Sequence, residues 1–310
     1  MKSFLALVQW IVHRASTSRM WVRFLHAGPI ILALALATPA IAKSKREALP
    51  VPVTQAVLLF DYKTNQVVEG ENIHVQRPIA SSTKLMTAYV VLESRVSLDE
   101  EIKITQLQIE NSPVLKNGSS TTRRELLYLT LIASDNKAAR ILAESHPSGY
   151  SEFIALMNST ARSLNMFNTA FTDPSGLSIF NVSTAWDLHL LNRAINKYSI
   201  FSETAMSKTS QQQAQTQKGK LYRFMIRNTS ALAGEYDLLI GKTGFTNAAK
   251  WCISTQVRLS GNVFDVIVLG AKDKHTRNRL AKTIIEKHIS SIASQSTIFN
   301  IEQLDSNNRR

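Results

Sequence analysis

The order in which hydrophobic periodicity changes along the chain constrains the fold more than any other feature. Residues 56–62 and 66–69 read as strands around Lys63-Thr64-Asn65, a β-hairpin pattern. From 81 to about 95 the period becomes helical, with Leu85, Met86, Tyr89, Val90 and Leu92 on one face. Residues 101–105 are a short strand candidate. Helical patterns follow at 122–133, 137–144, 150–164 and 184–196, two of them opened by Thr122-x-x-Glu125 and Thr184-x-x-Asp187. Asp173-Pro174-Ser175-Gly176 is turn chemistry, and 211–220 is a Gln-rich polar loop. Strand patterns return at 238–240, 251–259 and 263–269, joined across Ser260-Gly261-Asn262, and a helix closes the series at 277–289. Strands at both ends with helices between predict an α/β (α+β) fold. One antiparallel sheet draws on both ends of the chain, helices flank it, and the central helices form a second lobe. A cleft between the lobes is the natural site.

The 310 residues are 44% apolar, enough for a sizeable core, and carry a formal charge of +13. A basic surface suits anionic partners such as acidic lipid or a carboxylate-rich cell wall. No basic helix or aromatic–basic ribbon selects nucleic acid. The single cysteine, Cys252, excludes an internal disulfide and a cysteine-rich zinc site. Seven scattered histidines without His-Glu-x-x-His give no metal site.

The N-terminus reads as a targeting segment. Arg19, Arg23 and His26 precede an apolar run over 29–37, and Thr38-Pro39-Ala40-Ile41-Ala42 is a small-x-small exit. The run is short of the about 20 residues that span a bilayer. Residues 1–42 are therefore expected to be a signal peptide cleaved after Ala42, with Met20 as an alternative start. A retained N-terminal anchor is the other reading. Residues 43–54 are expected to form a lead-in, 55–290 the main folded domain and 291–310 a polar tail. The expected product is periplasmic, with no stable membrane anchor.

Three short motifs carry the chemistry: Ser81-x-x-Lys84, Ser134-x-Asn136 and Lys242-Thr243-Gly244. The first two patterns recur by chance elsewhere in the chain, so context sorts them. Ser81 opens a strong amphipathic helix after a proline-fixed extended segment, and Lys84 lies one turn on along the same face. A serine hydroxyl needs a base, and lysine serves only if burial or a neighbouring cation lowers its pKa. Lys242 is a candidate for that cation. Ser81 is equally an ordinary helix cap on local grounds. Ser134 and Asn136 interrupt a helical block and can reach a cleft, Asn136 with an amide suited to a peptide bond. Lys242-Thr243-Gly244 sits on or beside a strand, where glycine permits close approach and an edge accepts an extended peptide.

Together these motifs closely resemble the penicillin-recognising serine DD-peptidases, low-molecular-mass branch. The resemblance extends to Arg77-Pro78-Ile79-Ala80-Ser81-Ser82-Thr83-Lys84-Leu85-Met86-Thr87, Asp173-Pro174-Ser175-Gly176-Leu177, Asn181-Val182-Ser183-Thr184-Ala185, Arg227-Asn228-Thr229 and Lys242-Thr243-Gly244-Phe245-Thr246-Asn247-Ala248-Ala249. It covers roughly residues 50–290. It implies a DD-peptidase/serine β-lactamase-like fold, no cofactor and no metal. It implies Ser81 as nucleophile, Lys84 as general base, Ser134 as proton shuttle, and Asn136, Lys242 and Thr243 as substrate-binding groups. The backbone N–H groups of Ser81 and Phe245, the latter after Gly244, would form the oxyanion hole. Peptidoglycan cross-links would be the substrate and β-lactams covalent inhibitors.

Two positions depart from the family pattern. Lys137 stands where many relatives carry an acid, and Lys250 where relatives usually carry glycine. A class A β-lactamase would need a glutamate for deacylation, and 164–179 contains none. Gly-x-Ser-x-Gly is absent, against a Ser-His-Asp hydrolase. The short stretch after Gly244 favours an endopeptidase over the anchored carboxypeptidases, which remain the alternative. A non-catalytic wall-binding scaffold is the rival of a different class.

Overall fold

In the computed structural model, residues 55–105 and 112–289 are described. The expected leader 1–42, the lead-in to 54 and the tail 291–310 lie outside them. The helices are α1 (Thr83–Glu93), α2 (Arg123–Leu131), α3 (Asn136–Glu144), α4 (Tyr150–Ser163), α5 (Ala185–Ile195), α6 (Ser199–Met206) and α7 (residues 274–289). The strands are β1 (Ala56–Asp61), β2 (Gln66–Glu71), β3 (Arg77–Pro78), β4 (Glu101–Lys103), β5 (Ser120–Thr122), β6 (Val182–Ser183), β7 (Thr209–Gln215), β8 (Leu221–Arg227), β9 (Asp237–Thr246), β10 (Lys250–Leu259) and β11 (Asn262–Ala271).

The main sheet has the order β2-β1-β11-β10-β9, so the early hairpin and the late strands join in one antiparallel sheet, as the periodicity predicts. Ser260 and Gly261 both take positive φ (48° and 82°), the two-residue turn that matches strand twist between β10 and β11. On β11, Phe264, Val266 and Val268 pack with Ala281, Ile284 and Ile285 of α7. The alternate residues Ile267 and Leu269 join the larger core with α1 to α5. The sheet is thus covered on both faces.

Two expectations are corrected. The polar stretch 211–220 is not a loop: β7 and β8 form a hairpin turning at 216–220, with Gly219 at φ 77°. Its inward positions, Gln212 and Ala214, are buried while their neighbours are exposed, an alternation that glutamine-rich composition conceals. The last helix starts at 274 rather than 277, because Asp273 accepts from the Thr276 backbone N–H (2.6 Å) and hydroxyl (2.9 Å).

One buried carboxylate ties the helical lobe to the sheet. Asp265 on β11 accepts from His189 Nδ1 (2.6 Å) and Asn192 Nδ2 (3.2 Å) of α5, Tyr62 Oη (2.9 Å) and Gln256 Nε2 (3.1 Å). Four donors converge on a fully buried group, so removing it strands them all. Asp265→Ala is expected to cost about 3 kcal/mol in urea unfolding. A loss below about 1 kcal/mol would show that repacking or water replaces the carboxylate.

Candidate active site

Ser81 lies in a 3-10 turn, Ala80–Ser82, that feeds α1. The turn is held by a close backbone approach. Ala80 takes φ 47°, and a Cβ on Gly176 (φ 85°) would fall 1.9 Å from the Ala80 carbonyl oxygen. Only glycine leaves room there for the turn that presents Ser81. The edge strand β9 closes on the same turn from the other side. A Cβ on Gly244 would meet the Ser81 amide nitrogen at 2.8 Å, so the backbones around Ser81 and Phe245 are neighbours.

Lys84, fully buried on the first turn of α1, places Nζ 2.9 Å from Ser81 Oγ. The same Nζ donates to Asn136 Oδ1 (2.7 Å) and to the Ser175 carbonyl (2.6 Å). Asn136 is there because Asp135 caps α3 by accepting from Ala138 N, while Ser134 is held at φ 58° between α2 and α3. Burial raises the Asp135 carboxyl above its ordinary range. Lys242, 1% exposed on β9, donates to Ser134 Oγ and to the Thr243 carbonyl, both at 2.8 Å. Burial, then the Lys84 charge, then Arg277 push the Lys242 ammonium well below the ordinary lysine range. Thr243 Oγ1 donates to Thr229 Oγ1 at 2.7 Å.

A cavity of about 330 Å³ opens over these groups, lined by Ser81, Ser134, Asn136, Thr243, Gly244 and Phe245 among others. All eight residues singled out in the sequence therefore meet at one place, Lys84 and Lys242 through the two serines. The sequence reading did not single out Ser175, Thr229, Trp251 or Arg277. Ser175 and Thr229 lie in stretches already notable as turn or motif. Arg277 had one available signal, a cation in the first turn of a helix, against the dipole. Among the described residues no group of His, Cys, Asp and Glu could hold a metal, and no helix is long and apolar enough to cross a membrane.

A serine hydroxyl, a buried amine and a second hydroxyl–amine pair around an open cleft can support acyl transfer. A family model described as D-alanyl-D-alanine carboxypeptidase matches residues 43–273. The chain belongs to this family of serine DD-peptidases. It is 35% identical to a D-alanyl-D-alanine endopeptidase of Escherichia coli, over 80% of this chain and 82% of the relative. It is 31% identical to one of Pseudomonas aeruginosa, over 91% and 94%. Among solved structures, the Streptomyces K15 DD-transpeptidase superposes with a TM-score of 0.71 at 26% identity, covering 76% of this chain and 96% of that one. The fold is the DD-peptidase fold, as the motifs imply.

The Gly176 contact gives this DD-peptidase a direct test. A side chain there meets both a left-handed backbone, about 1–2 kcal/mol, and the Ala80 carbonyl. Gly176→Ala is expected to destabilise by at least about 2 kcal/mol in thermal or urea unfolding. An unchanged midpoint would mean that the turn before Ser81 relaxes freely.

Proposed function

We propose that this DD-peptidase is an endopeptidase that hydrolyses D-alanyl-diaminopimelyl cross-links of peptidoglycan through an acyl-enzyme on Ser81. The observation that carries the reading is Lys84 Nζ, buried and 2.9 Å from Ser81 Oγ at the base of an open cleft. A neutral Lys84 amine has two N–H bonds and one lone pair. With the N–H bonds directed to Asn136 Oδ1 and the Ser175 carbonyl, the lone pair faces the Ser81 hydroxyl. Two buried ammonium groups repel, and burial with the Lys84 charge depresses the Lys242 ammonium, so the pair sheds a proton more readily than two free lysines would.

In this reading Ser81 Oγ bonds to the D-alanyl carbonyl carbon as its proton passes to Lys84. The Ser81 and Phe245 backbone N–H groups hold the oxyanion, where losing one donor costs about 2.7–4 kcal/mol of barrier. The tetrahedral adduct collapses, the C–N bond breaks, and Ser134 relays to the leaving amine the proton that Lys84 took from Ser81, which frees Lys84 to act as base again. Water then adds to the ester, releasing a carboxylate and restoring Ser81. Asn136 and Thr243 position the substrate amide and carboxylate. A β-lactam enters as a mimic and stays on Ser81. Export to the periplasm would bring the enzyme to this substrate.

The relatives named endopeptidases favour this reading. The family description favours a second one, trimming of terminal D-alanine from pentapeptides. Digestion of purified cross-linked dimers and pentapeptide monomers, read by mass, separates them. Ser81→Ala is expected to abolish both dimer cleavage and labelling by a fluorescent penicillin; retained cleavage would reject Ser81 as nucleophile. The lysine pair sets the pH dependence. Its depressed ammonium loses a proton as pH rises, so acylation should increase with pH through an apparent pKa well below 10.5, the ordinary lysine value. A rise confined to the ordinary lysine range would remove the base from this pair.

A further inference from the structure

At one end the cleft carries a feature that the hydrolytic step does not use. The Phe245 side chain is 46% exposed, although its strand also carries Lys242. It stands directly across from Trp251 of β10, with ring centroids 4.4 Å apart and planes 32° apart. The buried Arg277 guanidinium lies 5.7 Å from the Trp251 centroid and forms the floor. Lys274 precedes Arg277 by one turn of α7, so it shares that face at the solvent rim. Lys274 and Arg277 line the same cavity as Ser81. Among the described residues no acid is ion-paired with Lys274. Two cations in the first turn oppose the helix dipole, so the arrangement favours an arriving anion. The other end of the cavity, at Gly176 and Leu177, carries no charge.

We propose that Phe245, Trp251 and Lys274 form a subsite for the acceptor arm of a cross-linked substrate. The aromatic ledge takes the methylene chain that bears the leaving amine, and Lys274 takes a carboxylate of the stem beyond it. The inference rests on the endopeptidase reading above. A leaving D-alanine offers the ledge only a methyl group, whereas a cross-linked stem offers a methylene chain and further carboxylates. The subsite acts on substrate selection and leaves the bond-breaking groups as they are.

The test compares the wild type, Lys274→Gln and Trp251→Leu on cross-linked muropeptide dimers, with benzylpenicillin acylation as the reference that lacks an acceptor arm. Relative to acylation, kcat/KM for dimers should fall about fivefold in Lys274→Gln, carried by KM. It should fall by at least as much in Trp251→Leu. Amidating the acceptor-stem carboxylates should lower wild-type cleavage by a similar factor and Lys274→Gln cleavage no further. Dimer cleavage that tracks acylation in both variants would overturn the subsite. So would an amidation effect that persists undiminished in Lys274→Gln. A wild type that trims pentapeptides and leaves dimers intact fails the endopeptidase reading itself, and the subsite falls with it.

Discussion

Two lysine side chains buried around one cleft are the constraint on which the rest of the structure depends. Lys84 comes from the first turn of α1 and Lys242 from the edge strand β9. Each is at most 1% exposed, so neither amine can turn to water for its hydrogen bonds. Their solution is a set of oxygen partners fixed by different elements: Ser81 from the 3-10 turn, Asn136 from the start of α3, Ser175 from the 173–176 turn and Ser134 between α2 and α3. Helical lobe and sheet must meet in one register for those oxygens to converge. The Asp265 cluster, which joins α5 to β11 away from the cleft, holds that meeting in place.

Backbone strain sits beside both serines. Ala80 and Ser134 adopt positive φ without being glycine, a conformation that costs about 1–2 kcal/mol per residue. Such strain persists only where the surroundings over-determine it. Around Ala80 the surroundings are Gly176 and Gly244, each with its missing side chain filled by the Ser81 turn. The glycine of Lys242-Thr243-Gly244 therefore has a packing reason that is independent of any ligand. It lets an edge strand lie against the turn that holds the nucleophile candidate.

Legibility in the sequence followed the range of the interaction. Helix starts were readable from adjacent residues: Thr122 and Glu125 form the full capping box, and Thr184 accepts from Asp187 N. The sheet was readable because its strands are long and apolar and both ends of the chain supply them. The β7–β8 hairpin was hidden because Gln212 and Gln213 are chemically alike while only the former is buried. The site motifs were readable as short spacings, and the resemblance ordered them. What no spacing could reveal was the contact between segments: Ser175 under Lys84, Thr229 beside Thr243, Arg277 beneath Trp251. Those pairs are 91, 14 and 26 positions apart by their numbers, and only the folded chain brings them together.

Lys137 and Lys250, the two lysines set apart in the sequence, take different physical roles. Lys137 is buried, and its Nζ donates to Asn117 Oδ1 at 2.7 Å. With Ser112 donating to Asp135 at 2.5 Å, it fastens the 112–117 segment to the turn that carries Ser134 and Asn136. Its charge is used in a local tie, in a place where an acid would have to find a donor instead. Lys250 is the opposite case. It is exposed, at the β9–β10 turn, and holds φ 59° where glycine would be unstrained. It faces Thr246 across the turn, one register step from the Phe245–Trp251 pair. Lys250 thus carries a backbone cost at the turn that a glycine would not. With Lys274 and Arg277 lining the cleft, part of the charge that composition alone could assign only to an anionic partner acquires a location there.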